Sequence, residues 1–203
     1  MKQQNNLYWQ SKLDLDNEQV LSSCVTANNW VNHNITDCVD PLTDVFHIAN
    51  VYNSYNLFAL PLPGFHQLYS EVCSNIKQVI DSTDYWIKAW VNVYGPDKYH
   101  TWHGHKEHTW MDDDSYVAKH NSYHGIVCVN GIDSVTSYKR DNNTVHIPWT
   151  ENNQFVLIRN SEDWQHRTWP YKHKGNRVTV AMNLFHRQDI DTFRYGSHWL
   201  PVI

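Results

Sequence analysis

The chain has 203 residues, 41% hydrophobic and 14% aromatic, which is long and apolar enough to close a core without metal or disulfide staples and excludes a disordered protein. Its formal net charge of -5 gives no basic stripe and argues against a mainly electrostatic grip on nucleic acid. No stretch approaches the roughly 18 consecutive apolar residues of a membrane span, and Cys24, Cys38, Cys73 and Cys128 lack the CxxC spacing of a zinc ribbon, so a soluble cytoplasmic protein with reduced thiols and no membrane partner is expected.

Residues 1–60 are rich in Asn, Ser and Asp, and their one periodic stretch predicts a short helix around Leu13 to Leu21, started by Asp14 or Asp16. After Leu60-Pro61-Leu62-Pro63-Gly64, the apolar positions Phe65, Leu68, Val72, Ile76 and Val79 recur at helical spacing and predict a helix from about 65 to 80 that packs on a sheet. From Trp86 the period becomes two. Ile87, Ala89, Val91 and Val93 form a dry face, while Trp86, Lys88, Trp90, Asn92 and Tyr94 form a mixed one. Short strands are predicted at 124–130, 134–138, 144–147 and 155–159, joined by polar turns such as Asn130-Gly131, and a last strand runs from Arg177 to Leu184. Many short strands of this kind imply an antiparallel sandwich or barrel.

Histidine is the outlier: there are 14, seven of them between His100 and His146. His103-Gly104-His105 follows the 86–94 strand, His166 is expected in the loop after 155–159, and Arg177-Val178-Thr179 opens the final strand. Ligands one residue apart on an extended segment project to the same side, so His103 and His105 can share one metal ion, and His166 supplies a third imidazole. Three ligands on one face leave the opposite positions open, which suits iron(II) holding a bidentate co-substrate and dioxygen. The Arg177 guanidinium can grip a carboxylate in a two-pronged fork, with the Thr179 hydroxyl on the same strand face, and that is a site for the far end of a dicarboxylate.

With these residues the chain resembles the Fe(II)/2-oxoglutarate-dependent dioxygenases, especially a prolyl-hydroxylase-like group with phage and bacterial members. The resemblance runs through about 86–185: Trp90-Val91-Asn92-Val93-Tyr94-Gly95-Pro96, the HxH of His103 and His105, the strand from His124 to Asn130, His166, and Arg177-Val178-Thr179-Val180-Ala181-Met182-Asn183. It implies a mainly β (α+β) double-stranded β-helix, or jelly roll, with flanking helices. One domain is expected: an N-terminal region 1–84, a core 85–186 and a tail 187–203. The resemblance also implies Fe(II), 2-oxoglutarate and O2 as cofactors and co-substrates, and hydroxylation of a peptide side chain or small molecule with release of succinate and CO2. A viral member would act in the host cytoplasm.

Metal ligation is thus assigned to His103, His105 and His166, and co-substrate binding to Arg177, Thr179 and Tyr94. Asn92, Trp102 and Asn183 are expected to line the pocket. The family pattern is HxD or HxE, and here His105 stands at the acidic position. A three-histidine site carries one more positive charge and holds iron(II) less firmly. Glu107 is the rival ligand, because His105-Lys106-Glu107 is an HxE shifted by two residues. Trp102, Trp110, Trp164 and Trp169 flank the proposed ligands as walls of a substrate channel, while His100, His108, His120 and His124 are expected at the mouth or on the surface. Two other readings stay open: a cupin-like three-histidine dioxygenase that consumes dioxygen without forming succinate, and a jelly-roll binding or virion-associated module without turnover.

Overall fold

The computed structural model describes residues 3–4, 8–34, 55–81, 83–104, 120–140, 142–160, 164–192 and 198–203. Helix α1 (Asn17–Asn34) starts where Asp16 accepts the Gln19 N–H at 3.1 Å, the cap that the sequence suggests. It runs well past Leu21. Its buried stripe, Val20, Cys24, Ala27 and Val31, holds helical spacing but is narrow, made partly of small residues and surrounded by Ser and Asn, which hides it from a periodicity reading. Helix α2 (Pro63–Ile76) begins with proline at its first turn and buries Phe65, Leu68, Val72 and Ile76 completely. It stops at Ile76 rather than at 80; Val79 and Ile80 continue as a turn whose N–H groups reach back to the Ile76 carbonyl. The two helices touch at Gly64, where an added Cβ would lie 2.7 Å from both the Gln19 oxygen and the Val20 Cα.

The strands are β1 (Gln3–Gln4), β2 (Tyr8–Lys12), β3 (Tyr85–Tyr94), β4 (Ser122–Asn130), β5 (Ser134–Arg140), β6 (Asn143–Trp149), β7 (Gln154–Asn160), β8 (Gln165–Thr168), β9 (Arg177–His186) and β10 (Leu200–Pro201), with a short helix α3 (Arg187–Thr192) after β9. They form two antiparallel sheets, of order β1-β2-β7-β4-β9-β3-β10 and β6-β5-β8. Four of these strands are absent from the sequence reading: β1, β2 and β10, in segments read without strands, and β8, which holds His166 in a sheet rather than in a loop. Four residues of mixed polarity carry too little alternation to announce a strand.

The large sheet has two working faces, because side chains alternate along each strand. One face, with Ile87, Ala89, Val91, Val127, Val180, Met182 and Leu184, shares a core with α1 and α2. The other face, with Trp90, Asn92 and Tyr94 on β3 and Arg177, Thr179, Ala181 and Asn183 on β9, looks toward the small sheet. Arg177 on β9 bonds to β5, and His124 on β4 lies beside His166 on β8, so the sheets enclose an interior. This is a jelly roll. Among the described residues no helix is long and apolar enough to cross a membrane.

Candidate metal and co-substrate site

At one end of the interior, register sets the neighbours. Tyr94 pairs across β3 and β9 with Arg177, and Asn92 with Thr179. Arg177 is among the largest fully buried side chains, 1% exposed, with its guanidinium carbon 5.9 Å from the Tyr94 ring. Its Nε donates to Ser134 Oγ and its Nη2 to Thr136 Oγ1, each at 3.0 Å. Among the described residues no carboxylate pairs with it, and its buried Nη1 has no hydrogen-bond partner. Burial pushes its pKa down and the neighbouring tyrosines and Cys128 oppose this, yet an arginine remains charged in protein surroundings. A buried cation with an unmet donor calls for an anion.

Tyr138 stands two residues beyond Thr136 on the same face of β5, about 7 Å along the strand. Its hydroxyl is likewise buried without a hydrogen-bond partner, and burial raises its pKa. Tyr138 pairs across the strands with His166, and the two rings stack 5.4 Å apart at 29°. The guanidinium and the imidazole thus sit at the two ends of one short stretch of wall.

His103 and His166 are locked together through their backbones: the His103 N–H donates to the His166 carbonyl at 3.0 Å, and the reverse bond measures 2.8 Å. Their ring centroids lie 4.1 Å apart. His103 Nδ1 is 2.8 Å from the Thr101 carbonyl, which can only accept. This assigns the ring proton to Nδ1 and the lone pair to Nε2, the atom through which a neutral imidazole of this tautomer can ligate. Burial is the largest cause that pulls the His103 pKa down to about 3, followed by the neighbouring His100, so the ring is neutral and able to ligate at pH 7. His100 adds a third ring 3.8 Å from His103, and His124 a fourth 4.6 Å from His166.

His105 and its rival Glu107 lie outside the described residues, as does Trp110. Thr179 is buried beside Asn92, and Asn92 Oδ1 is a further buried acceptor with no partner among the described residues. Asn183 bonds through Oδ1 to His124 Nδ1 at 3.1 Å. Trp102 stands apart: it lies over the guanidinium of Arg167, 4.8 Å away, and Arg167 also packs 3.9 Å from Trp169, on the face of β8 that alternates with His166. His124 is only 3% exposed and lies in the interior, not at the surface, with burial pulling its pKa down to about 4. Sequence reasoning also passed over Ser134, Thr136 and Tyr138. Their period-two spacing in a predicted strand was the available signal, since a polar face on a short strand between two sheets must find partners.

A second group could hold a metal ion: His120, His186 and Asp189 offer one ligand atom each, all within 4.8 Å of one another. It is remote from Arg177. His186 closes β9 and Arg177 opens it, nine steps of about 3.3 Å, or roughly 30 Å, apart, so a five-carbon diacid held by Arg177 cannot reach it.

No family model and no curated protein matches the sequence. Solved structures match across most of the chain. A prolyl hydroxylase from Trichoplax adhaerens, in complex with a hypoxia inducible factor oxygen degradation domain peptide fragment, is 13% identical, with a TM-score of 0.59 over 91% of this chain and 86% of that one. The viral collagen prolyl hydroxylase of Paramecium Bursaria Chlorella virus-1, in its 2OG complex, is 11% identical, with a TM-score of 0.53 over 89% and 96%. HygX from Streptomyces hygroscopicus, with iron bound, is 10% identical, with a TM-score of 0.52 over 89% and 82%. The chain therefore has the double-stranded β-helix fold of the prolyl hydroxylases and related iron- and 2-oxoglutarate-dependent oxygenases.

Proposed function

We propose that the protein is an Fe(II)- and 2-oxoglutarate-dependent oxygenase that hydroxylates a peptide side chain or small molecule and releases succinate and CO2. The observation that carries this reading is the buried Arg177, whose Nη1 lacks a partner among the described residues, one stretch of wall away from the paired His103 and His166. His103 and His166, with His105 or Glu107 as the third ligand, would hold the iron, and Arg177 and Thr179 would hold the far carboxylate of 2-oxoglutarate. The iron supplies dioxygen activation when bound.

This chain's own residues do the placing. Ser134 and Thr136 aim the guanidinium fork, so that a carboxylate meets its donors without reorganisation. Tyr138 offers its hydroxyl to the same anion and braces the His166 ring, while Tyr94 closes the chamber beneath the guanidinium. Neutral His103 presents its Nε2 lone pair with the Nδ1 proton held by Thr101. The buried walls keep water from the reacting atoms. The unmet Arg177 donor favours this reading over a cupin-like dioxygenase, which needs no buried cation for a diacid.

The test is anaerobic titration with Fe(II) and 2-oxoglutarate, followed by a succinate assay on wild type, His166→Ala and Arg177→Ala. Succinate should form in wild type alone, with iron binding lost in the first variant and retained in the second. Equal succinate from all three proteins would refute the activity.

A further inference from the structure

We propose that His120, His186 and Asp189 form a second cation site, built for a divalent transition-metal ion of the zinc class and separate from the one at His103 and His166. The three side chains come from three places in the fold: the approach to β4, the last residue of β9, and α3. Asp189 is 2% exposed, and its Oδ2 lies 3.2 Å from His120 Nδ1. The His120 and His186 rings stack 3.7 Å apart at 16°.

The His120–Asp189 spacing matches a coordination shell, and the three ligand atoms lie within 4.8 Å of one another. Ligand atoms bonded at roughly 2.0–2.1 Å to a tetrahedral ion stand about 3.3 Å from one another. The nitrogen and oxygen of His120 and Asp189 already keep that separation. The Gln188 N–H donates to His186 Nδ1 at 3.3 Å, which marks Nδ1 as the atom with the lone pair. Ligation there gives up one long hydrogen bond. Two imidazoles and one carboxylate suit zinc, nickel or cobalt better than calcium or magnesium, which prefer oxygen alone. His120 is one-third exposed, so solvent can supply the fourth ligand.

One divalent ion would take a nitrogen from each imidazole and an oxygen from the buried carboxylate together. A bound ion would tie His120, just before β4, to the C-terminal end of β9. The role is structural, since the group is remote from Arg177.

The test is zinc titration of chelator-stripped full-length protein, reading stoichiometry by calorimetry and zinc-dependent change in Tm. A His103→Ala, His166→Ala double variant should keep one equivalent of zinc and gain several degrees in Tm when it binds. Adding His120→Asn, at a partly exposed position the fold tolerates, should weaken that binding at least tenfold, and Asp189→Asn should do the same. A double variant that binds no zinc, or zinc bound equally well after His120→Asn, would overturn the proposal. A wild type with a single equivalent that disappears with His120→Asn would uphold this site and sink the ligand role of His103 and His166; a single equivalent lost only in the double variant would do the reverse.

Discussion

Tyr138 and His166 face each other across β5 and β8, and their rings stack while the tyrosine hydroxyl meets no hydrogen-bond partner among the described residues. A hydroxyl buried in this way weakens the empty fold by about 1–3 kcal/mol. Tyr138→Phe is therefore expected to raise the Tm of the ligand-free protein while weakening 2-oxoglutarate binding about tenfold. Calorimetric melting and anaerobic titration measure the two effects. A variant less stable than wild type, with unchanged affinity, would show that the hydroxyl serves the fold instead.

Thr136 Oγ1 accepts from both Arg177 Nη2, at 3.0 Å, and the Trp149 indole N–H, at 2.9 Å. Thr136→Val keeps the shape and removes the acceptor, so the guanidinium loses its aim but not its charge. The KM for 2-oxoglutarate should rise by about tenfold to a hundredfold with little change in kcat, the pattern of lost ground-state binding. Steady-state succinate formation checks the split. An equal fall in kcat would place Thr136 closer to the reacting atoms than the geometry does.

Lys88 lies on the inner face of β3 opposite Asn183, 2% exposed, with its ammonium 5.8 Å from the Trp199 ring. Burial lowers its pKa from 10.5 to about 8. Between these values the unfolded chain holds a proton that the folded chain has released, so stability rises with pH across that window and the whole cost is present at pH 7. Lys88→Met should remove that rise, so the stability of the variant relative to wild type should fall from pH 7 to pH 10. Urea unfolding at both pH values decides it: a relative stability that grows with pH contradicts the burial cost.

Gly64 sits where α1 and α2 cross. A methyl group there meets backbone atoms of Gln19 and Val20, which cannot swing away as a flexible side chain would. Gly64→Ala should destabilise by about 1–3 kcal/mol, against the modest gain alanine brings to a helix. A urea midpoint at or above wild type would mean that the helices separate at little cost.

The amino-acid order alone determined what depends on near neighbours. Period two announced β3 and β9, 3.6-residue spacing announced α2, and Asp16 was readable as a helix start. The basic character of Arg177 on an otherwise uncharged strand face, and the clustering of histidines, were legible for the same reason. The tertiary structure decided what depends on pairing between distant segments. That His166 belongs to β8 follows from its place opposite Tyr138 on β5 and from its backbone hydrogen bonds to His103, neither close in sequence. The burial of His124, the bonds from Arg177 to Ser134 and Thr136, the separation of Trp102 from the interior, and the meeting of His120 with His186 and Asp189 arise only when the two sheets close on each other. Local periodicity records which face of a strand is dry, whereas cross-strand register and sheet stacking choose which polar groups share the enclosed space.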